Sequence, residues 1–159
     1  MIDLSLTDDQ ELLRETCSRF FSEHSTPDVV RAAEPSGHDA VLWSKAVELG
    51  LMTAAVPTIQ GGGGGGLLDL AIIAVELGRR VAPIPFVDAA PARNLMASVG
   101  LDDVADGSLV PSFSNEPLSG DRVPLLPSGA IADLVFVLRD DQLVMIDVTA
   151  ADARRPLPN

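Results

Sequence analysis

The chain has 159 residues and a formal charge of −12, from 23 acidic and 11 basic side chains. That balance excludes a phosphate-tracking nucleic-acid binder and an anionic-membrane binder, both of which rely on clustered Lys and Arg. A single cysteine, Cys17, excludes an internal disulfide framework and a cysteine-based zinc cluster. The length is enough to bury roughly 70% of the surface that the unfolded chain exposes. With five Phe, one Trp and no Tyr, the core is expected to be aliphatic.

The acidic start, Met1-Ile2-Asp3-Leu4, does not read as a signal peptide, and no apolar run approaches the roughly 20 residues that span a bilayer. A cytoplasmic protein is expected. Thr7-Asp8-Asp9-Gln10 has capping-box spacing and predicts a helix through Leu12, Leu13, Thr16, Cys17, Phe20, Phe21 and His24 with one buried face. Cys17 and His24 read as packing residues on that face rather than as a nucleophile and its base. Thr26-Pro27-Asp28 starts a second helix. A third runs from Asp39 through Leu42, Trp43, Ala46 and Leu49 and stops at Gly50, a left-handed C-cap.

Six glycines, Gly61–Gly66, follow the apolar segment Met52–Val56 and Pro57. They match Gly-x-Gly-x-x-Gly formally, but Pro83 and Pro85 interrupt the strand that a dinucleotide fold needs further on. A flexible or tightly turned loop is the preferred reading. The next helix, Leu67 to Arg80, carries apolar residues at nearly every angle, so it is expected to be enclosed by its neighbours. Within it Glu76-Leu77-Gly78-Arg79 reads as a packing and ion-pair device, with Gly78 admitting another backbone; direct ligand contact is the alternative. Asp88 is placed as the cap of a fifth helix that Gly100 closes.

After Gly107 the texture changes. Ser108–Phe113 is a possible strand, and the runs Leu134–Leu138 and Leu143–Val148 around Arg139-Asp140-Asp141-Gln142 have a hairpin signature. The fold class is therefore mainly α: a helical domain over 1–105, then an incomplete β segment over 106–159. The turn-rich stretch from Asn115 to Asp121 reads as a solvated turn, or as one whose free N–H groups hold an anionic or heterocyclic group. The carboxylate pairs Asp8/Asp9, Asp102/Asp103 and Asp140/Asp141 read as caps or surface charge, and no nucleophile–base pair stands out. No catalytic or metal-binding residue is assigned.

In order, these features resemble the N-terminal part of an acyl-CoA dehydrogenase. The family opens with Leu-Thr-x-x-Gln-x-x-Leu, as in Leu6-Thr7-Asp8-Asp9-Gln10-Glu11-Leu12-Leu13, leading to Phe20-Phe21. Trp43, then Glu48-Leu49-Gly50-Leu51, Val56-Pro57, the glycine loop, Glu76 to Arg79 and Pro83-Ile84-Pro85 continue the match over residues 4–86. Beyond it, Asn115-Glu116-Pro117 with Gly120-Asp121 resembles the family's Thr-Glu-Pro-x-x-Gly-Ser-Asp segment, with Asn115 for the Thr and no Ser before the Asp. Gly129 to Leu134 resembles a later strand entry, and the intervening Lys-x-Trp-Ile stretch has no counterpart.

The resemblance implies FAD-dependent α,β-dehydrogenation of an acyl-CoA thioester, with FAD as cofactor and Ser114, Asn115 and Glu116 at the flavin. That reaction needs a base for the α-proton, a flavin N5 for the β-hydride and donors to the thioester carbonyl. The family's C-terminal four-helix domain, which supplies the base and much of the FAD and subunit interface, has no match within 1–159. This chain alone is therefore expected to be inactive, within a homo- or hetero-oligomer. The alternative is a non-catalytic helical subunit that docks on a complete dehydrogenase.

Overall fold

The computed structural model describes residues 5–101, 107–120, 123 and 125–148. The expected domain boundary at 105/106, the Asp102/Asp103 pair and Asp121 lie outside them.

Helix α1 is Asp8–His24, and its start is the reciprocal box read from the sequence. The Gln10 N–H donates to Thr7 Oγ1 at 3.3 Å and the Thr7 N–H to Gln10 Oε1 at 3.1 Å. Its apolar stripe buries Cys17 and Phe21 completely. His24 packs edge-on against Phe20, with ring centroids 5.1 Å apart, and Lys45 Nζ lies 3.2 Å from its Nδ1. Both are packing residues, as read. Helix α2 is Pro27–Ala33 and α3 is Ala40–Glu48. The Asp39 carboxylate caps α3 through the Leu42 N–H at 2.7 Å, and Gly50 leaves it at φ +78°.

The glycine tract is a tight double turn folded back on residues 53–57. Gly62, Gly63, Gly64 and Gly65 donate their N–H groups to the carbonyls of Pro57, Thr53, Val56 and Ala54. Those amides are consumed internally, which leaves no phosphate cradle. A Cβ on Gly62 would collide with the Val56 carbonyl and side chain, so the absence of side chains is what permits the fold-back.

Helix α4, Leu67–Arg79, departs from the expectation. Ile73 and Glu76 face the core, but Leu67 (84% exposed), Leu68 (50%) and Val75 (53%) do not. A helix that is apolar all round is covered here on part of its surface, chiefly by α1 and less by the next helix. Among the described residues nothing within 4 Å would meet a Cβ on Gly78, so no second backbone of theirs approaches there. The Glu76–Arg79 pair does form, at 3.4 Å, with the carboxylate buried and the guanidinium in solvent.

The enclosed helix is α5, Phe86–Ser98. Phe86, Ala89, Ala90, Ala92, Arg93, Met96 and Ala97 are all buried, the alanines allowing neighbours close on several sides. It begins two residues before Asp88, at Phe86, so that residue is not its cap. The Asp88 carboxylate instead accepts the Ser128 hydroxyl at 2.5 Å.

Strands β1 (Pro111–Phe113), β2 (Leu134–Arg139) and β3 (Gln142–Asp147) form a sheet in the order β1-β2-β3 among the described residues. Strand β1 is shorter than expected from Ser108 and pairs parallel with β2. The β2–β3 hairpin forms as read: Arg139 pairs with Gln142 across Asp140 and Asp141, which sit at φ +47° and +63°. That is the primed turn whose twist suits a two-residue hairpin. One face of the sheet lies on α5, where Phe136 packs with Val56, Ala92, Met96 and Ala97.

Candidate functional site

The sheet and α5 do not meet along their full length. Between them lies a pocket of about 260 Å³, walled by Pro91, Ala92 and Leu95 from the helix. Phe113, Phe136, Leu138 and Leu143 come from the strands, with Val137 and Ser114 completing the lining. The β alternation explains the wall: Phe136 and Leu138 lie on one face of β2, opposite Met145 and Leu143 of β3. None of the nine lining residues ionises. Such a surface shields an apolar group from water, but it offers no acid or base. Its volume falls below the ~300–1,000 Å³ of complete ligand sites, and it is partly open to the surface.

Ser114 is the polar residue of the lining, and it sits where β1 ends. Its N–H donates to the Phe136 carbonyl at 2.8 Å. Its hydroxyl donates to the Glu116 carbonyl at 2.7 Å and accepts from the Glu116 N–H at 3.1 Å. Of the three residues singled out from the sequence, Ser114 lines the pocket, whereas Asn115 and Glu116 are exposed beside it. The apolar wall is not legible in the sequence, because no spacing rule links Pro91 and Leu95 to strand residues that far along the chain.

Buried hydroxyls fix the strand end. Ser112 Oγ, fully buried, donates to the Pro127 carbonyl at 2.7 Å. The Asp133 carboxylate accepts the Val110 N–H at 2.8 Å, where β2 is about to begin. With Ser128 held on Asp88, the loop before β2 is tied both to α5 and to β1.

The model of the acyl-CoA dehydrogenase N-terminal domain matches residues 7–105. The chain belongs to the acyl-CoA dehydrogenase family. The acyl-CoA dehydrogenase IpdE2 of Mycolicibacterium smegmatis is 30% identical over 94% of this chain and 48% of its own length. Among solved structures, a variant of the Tcur3481-Tcur3483 steroid ACAD aligns with a TM-score of 0.75 at 26% identity. It is matched over 91% of this chain and 49% of that one. The ChsE4-ChsE5 complex from Mycobacterium tuberculosis aligns with a TM-score of 0.78 at 17% identity, over 92% and 49%, which shows the shared fold. This acyl-CoA dehydrogenase-family chain thus spans about half the length of the relatives that it matches. The fold is that of the family's helical N-terminal domain and part of its β segment. Among the described residues, no helix is long and apolar enough to cross a membrane.

Proposed function

We propose that this chain supplies the helical wall and the first strands of an acyl-CoA dehydrogenase, and that its α5–sheet pocket takes the apolar acyl part of a CoA thioester. The observation that carries this reading is the pocket itself: a wall of aliphatic and aromatic groups with one hydroxyl residue at its rim. Family membership supports FAD-dependent α,β-dehydrogenation as the parent reaction. When bound, the flavin would supply the hydride acceptor.

The described residues fit one wall of that cofactor and no more. The Ser114 hydroxyl is spent on the Glu116 backbone, so the exposed side chains of Asn115 and Glu116 are the members of the trio left to meet a ring edge. The role of the chain's own residues is to bind, orient and exclude water. No carboxylate lines the pocket, so in this reading the base comes from outside the pocket lining. In this reading the protein works in the cytoplasm.

A second reading, a non-catalytic subunit docked on a complete dehydrogenase, is favoured by the two-component names of the Tcur3481-Tcur3483 and ChsE4-ChsE5 relatives. Dye-coupled oxidation of acyl-CoA separates it from autonomous catalysis. The pure chain is expected to give no reduction, alone or with added FAD. Turnover by the pure chain would overturn the proposal that it provides a wall without a base.

A further inference from the structure

His38 stands where the helices meet the β segment. Its backbone is pinned by Ser36, whose hydroxyl donates to the His38 carbonyl at 2.9 Å and accepts the His38 N–H at 3.2 Å. The next residue is held too, since the Asp39 N–H donates to the Pro83 carbonyl at 2.8 Å. The imidazole stands edge-on to the Trp43 indole, with ring centroids 6.2 Å apart. That indole is 5% exposed and donates through Nε1 to the Ser108 carbonyl at 3.4 Å, just ahead of β1.

The Nδ1 atom of His38 is shut off from solvent and has no hydrogen-bond partner among the described residues. A neutral ring protonated at Nε2 leaves only a lone pair there. Protonation at Nδ1 places a charged N–H where no acceptor waits, which is the more costly omission. Among the described residues, the charged groups acting on the ring are Asp39, at the start of α3, and Asp133, just ahead of β2. Both carboxylates are already engaged, with the Leu42 N–H at 2.7 Å and the Val110 N–H at 2.8 Å. Burial holds the imidazole below its usual 6.5, against the pull of those two charges.

We infer that His38 is an acid-sensitive latch: its neutral form closes the seam between α3 and the entry to β1, and on protonation it swings to solvent and loosens that seam. The ring is half-buried, so rotation about its side-chain bonds is enough to reach water. The Trp43 indole then loses its edge contact, and its bond to Ser108 meets competition from water. As pH falls through 6.5, the unfolded chain takes up the proton before the folded one. The stability from this group is therefore complete above 6.5 and is lost as pH drops through the lower value of the folded state. The latch does not rest on the acyl reading of the pocket.

Trp43 is the chain's single tryptophan, so its emission reads the seam directly. Titrated from pH 8 to pH 5, above the range in which ordinary carboxylates protonate, the parent chain should show a red shift with a midpoint below 6.5. The hydrogen-exchange protection of the Val110 amide should fall over the same range, while that of Phe21 in α1 holds. His38→Gln should remove both changes, and His24→Gln neither. Asp133→Asn keeps an oxygen for the Val110 N–H but removes a charge that favours the imidazolium, so it should move the midpoint lower still. Flat emission and protection in the parent chain, changes that survive His38→Gln, or a midpoint that stays or rises in Asp133→Asn would overturn the inference.

Discussion

The Ser128 hydroxyl donates to the Asp88 carboxylate at 2.5 Å, across 40 residues of sequence and from the β segment to the central helix. Ser128 itself sits at φ +54°, where a non-glycine residue is strained. The bond to Asp88 thus holds a turn that the backbone alone would relax. Removing it with Ser128→Ala should cost about 1.5–3 kcal/mol, the range for a hydrogen bond to a charged group. Ser128→Gly loses the same bond but takes the positive φ without strain, so urea denaturation should find it less destabilised than the alanine variant. Equal losses would mean that the turn is not under strain.

The glycine tract makes two opposite predictions. Gly62→Ala places a methyl group inside the Val56 carbonyl and should destabilise the chain by about 3 kcal/mol or more, since backbone must move. Gly66 stands at the N-cap of α4, and a Cβ there meets nothing closer than Asp69 Oδ2 at 3.8 Å. Gly66→Ser should be neutral or stabilising by up to about 1 kcal/mol, because its hydroxyl can accept a first-turn N–H. Thermal melts of both variants check the contrast.

The helices were legible because their signals are local. Thr7 with Gln10, Asp39 before Leu42 and Gly50 after α3 each act within one turn, and each does what its spacing implies. The hairpin at Asp140-Asp141 is local in the same sense. What was misjudged depends on what lies next to what. The composition of α4 could not reveal that its outer face lacks a neighbour among the described residues, nor could the alanines of α5 announce the central position. Asp88 looked like a cap because a carboxylate near a helix start often is one; Ser128 won it through a contact of long sequence separation. The pocket wall joins α5 to two strands, and only the folded chain brings them together.

Cys17 gives a pH signature. Burial, reinforced by the negative charge of Glu76, pushes its thiol from 9.0 to about 11. Its ionised form is thus excluded from the native state. The unfolded chain releases the proton first, so the stability from this group is complete below pH 9.0. It is lost progressively as pH rises through about 11, for a total on the order of 3 kcal/mol. Denaturant midpoints measured from pH 8 upward should fall over that window by more than in Cys17→Ala, which lacks the titration. The thiol should also resist alkylation in the native state, since the thiolate is the reactive form.

The central claim is that the space between α5 and the sheet receives an acyl group. Isothermal titration of the chain with octanoyl-CoA and with coenzyme A, repeated for Leu95→Trp, tests it most directly. Leu95 lines the pocket and is only partly buried, so a tryptophan can swing into the space with little change elsewhere. Burying several methylenes at ~0.8 kcal/mol each should make octanoyl-CoA bind about tenfold tighter or more than coenzyme A. Leu95→Trp should erase that difference while leaving the melting temperature near that of the parent chain. Equal affinity for the two ligands, or an acyl preference that survives the tryptophan, would contradict the account.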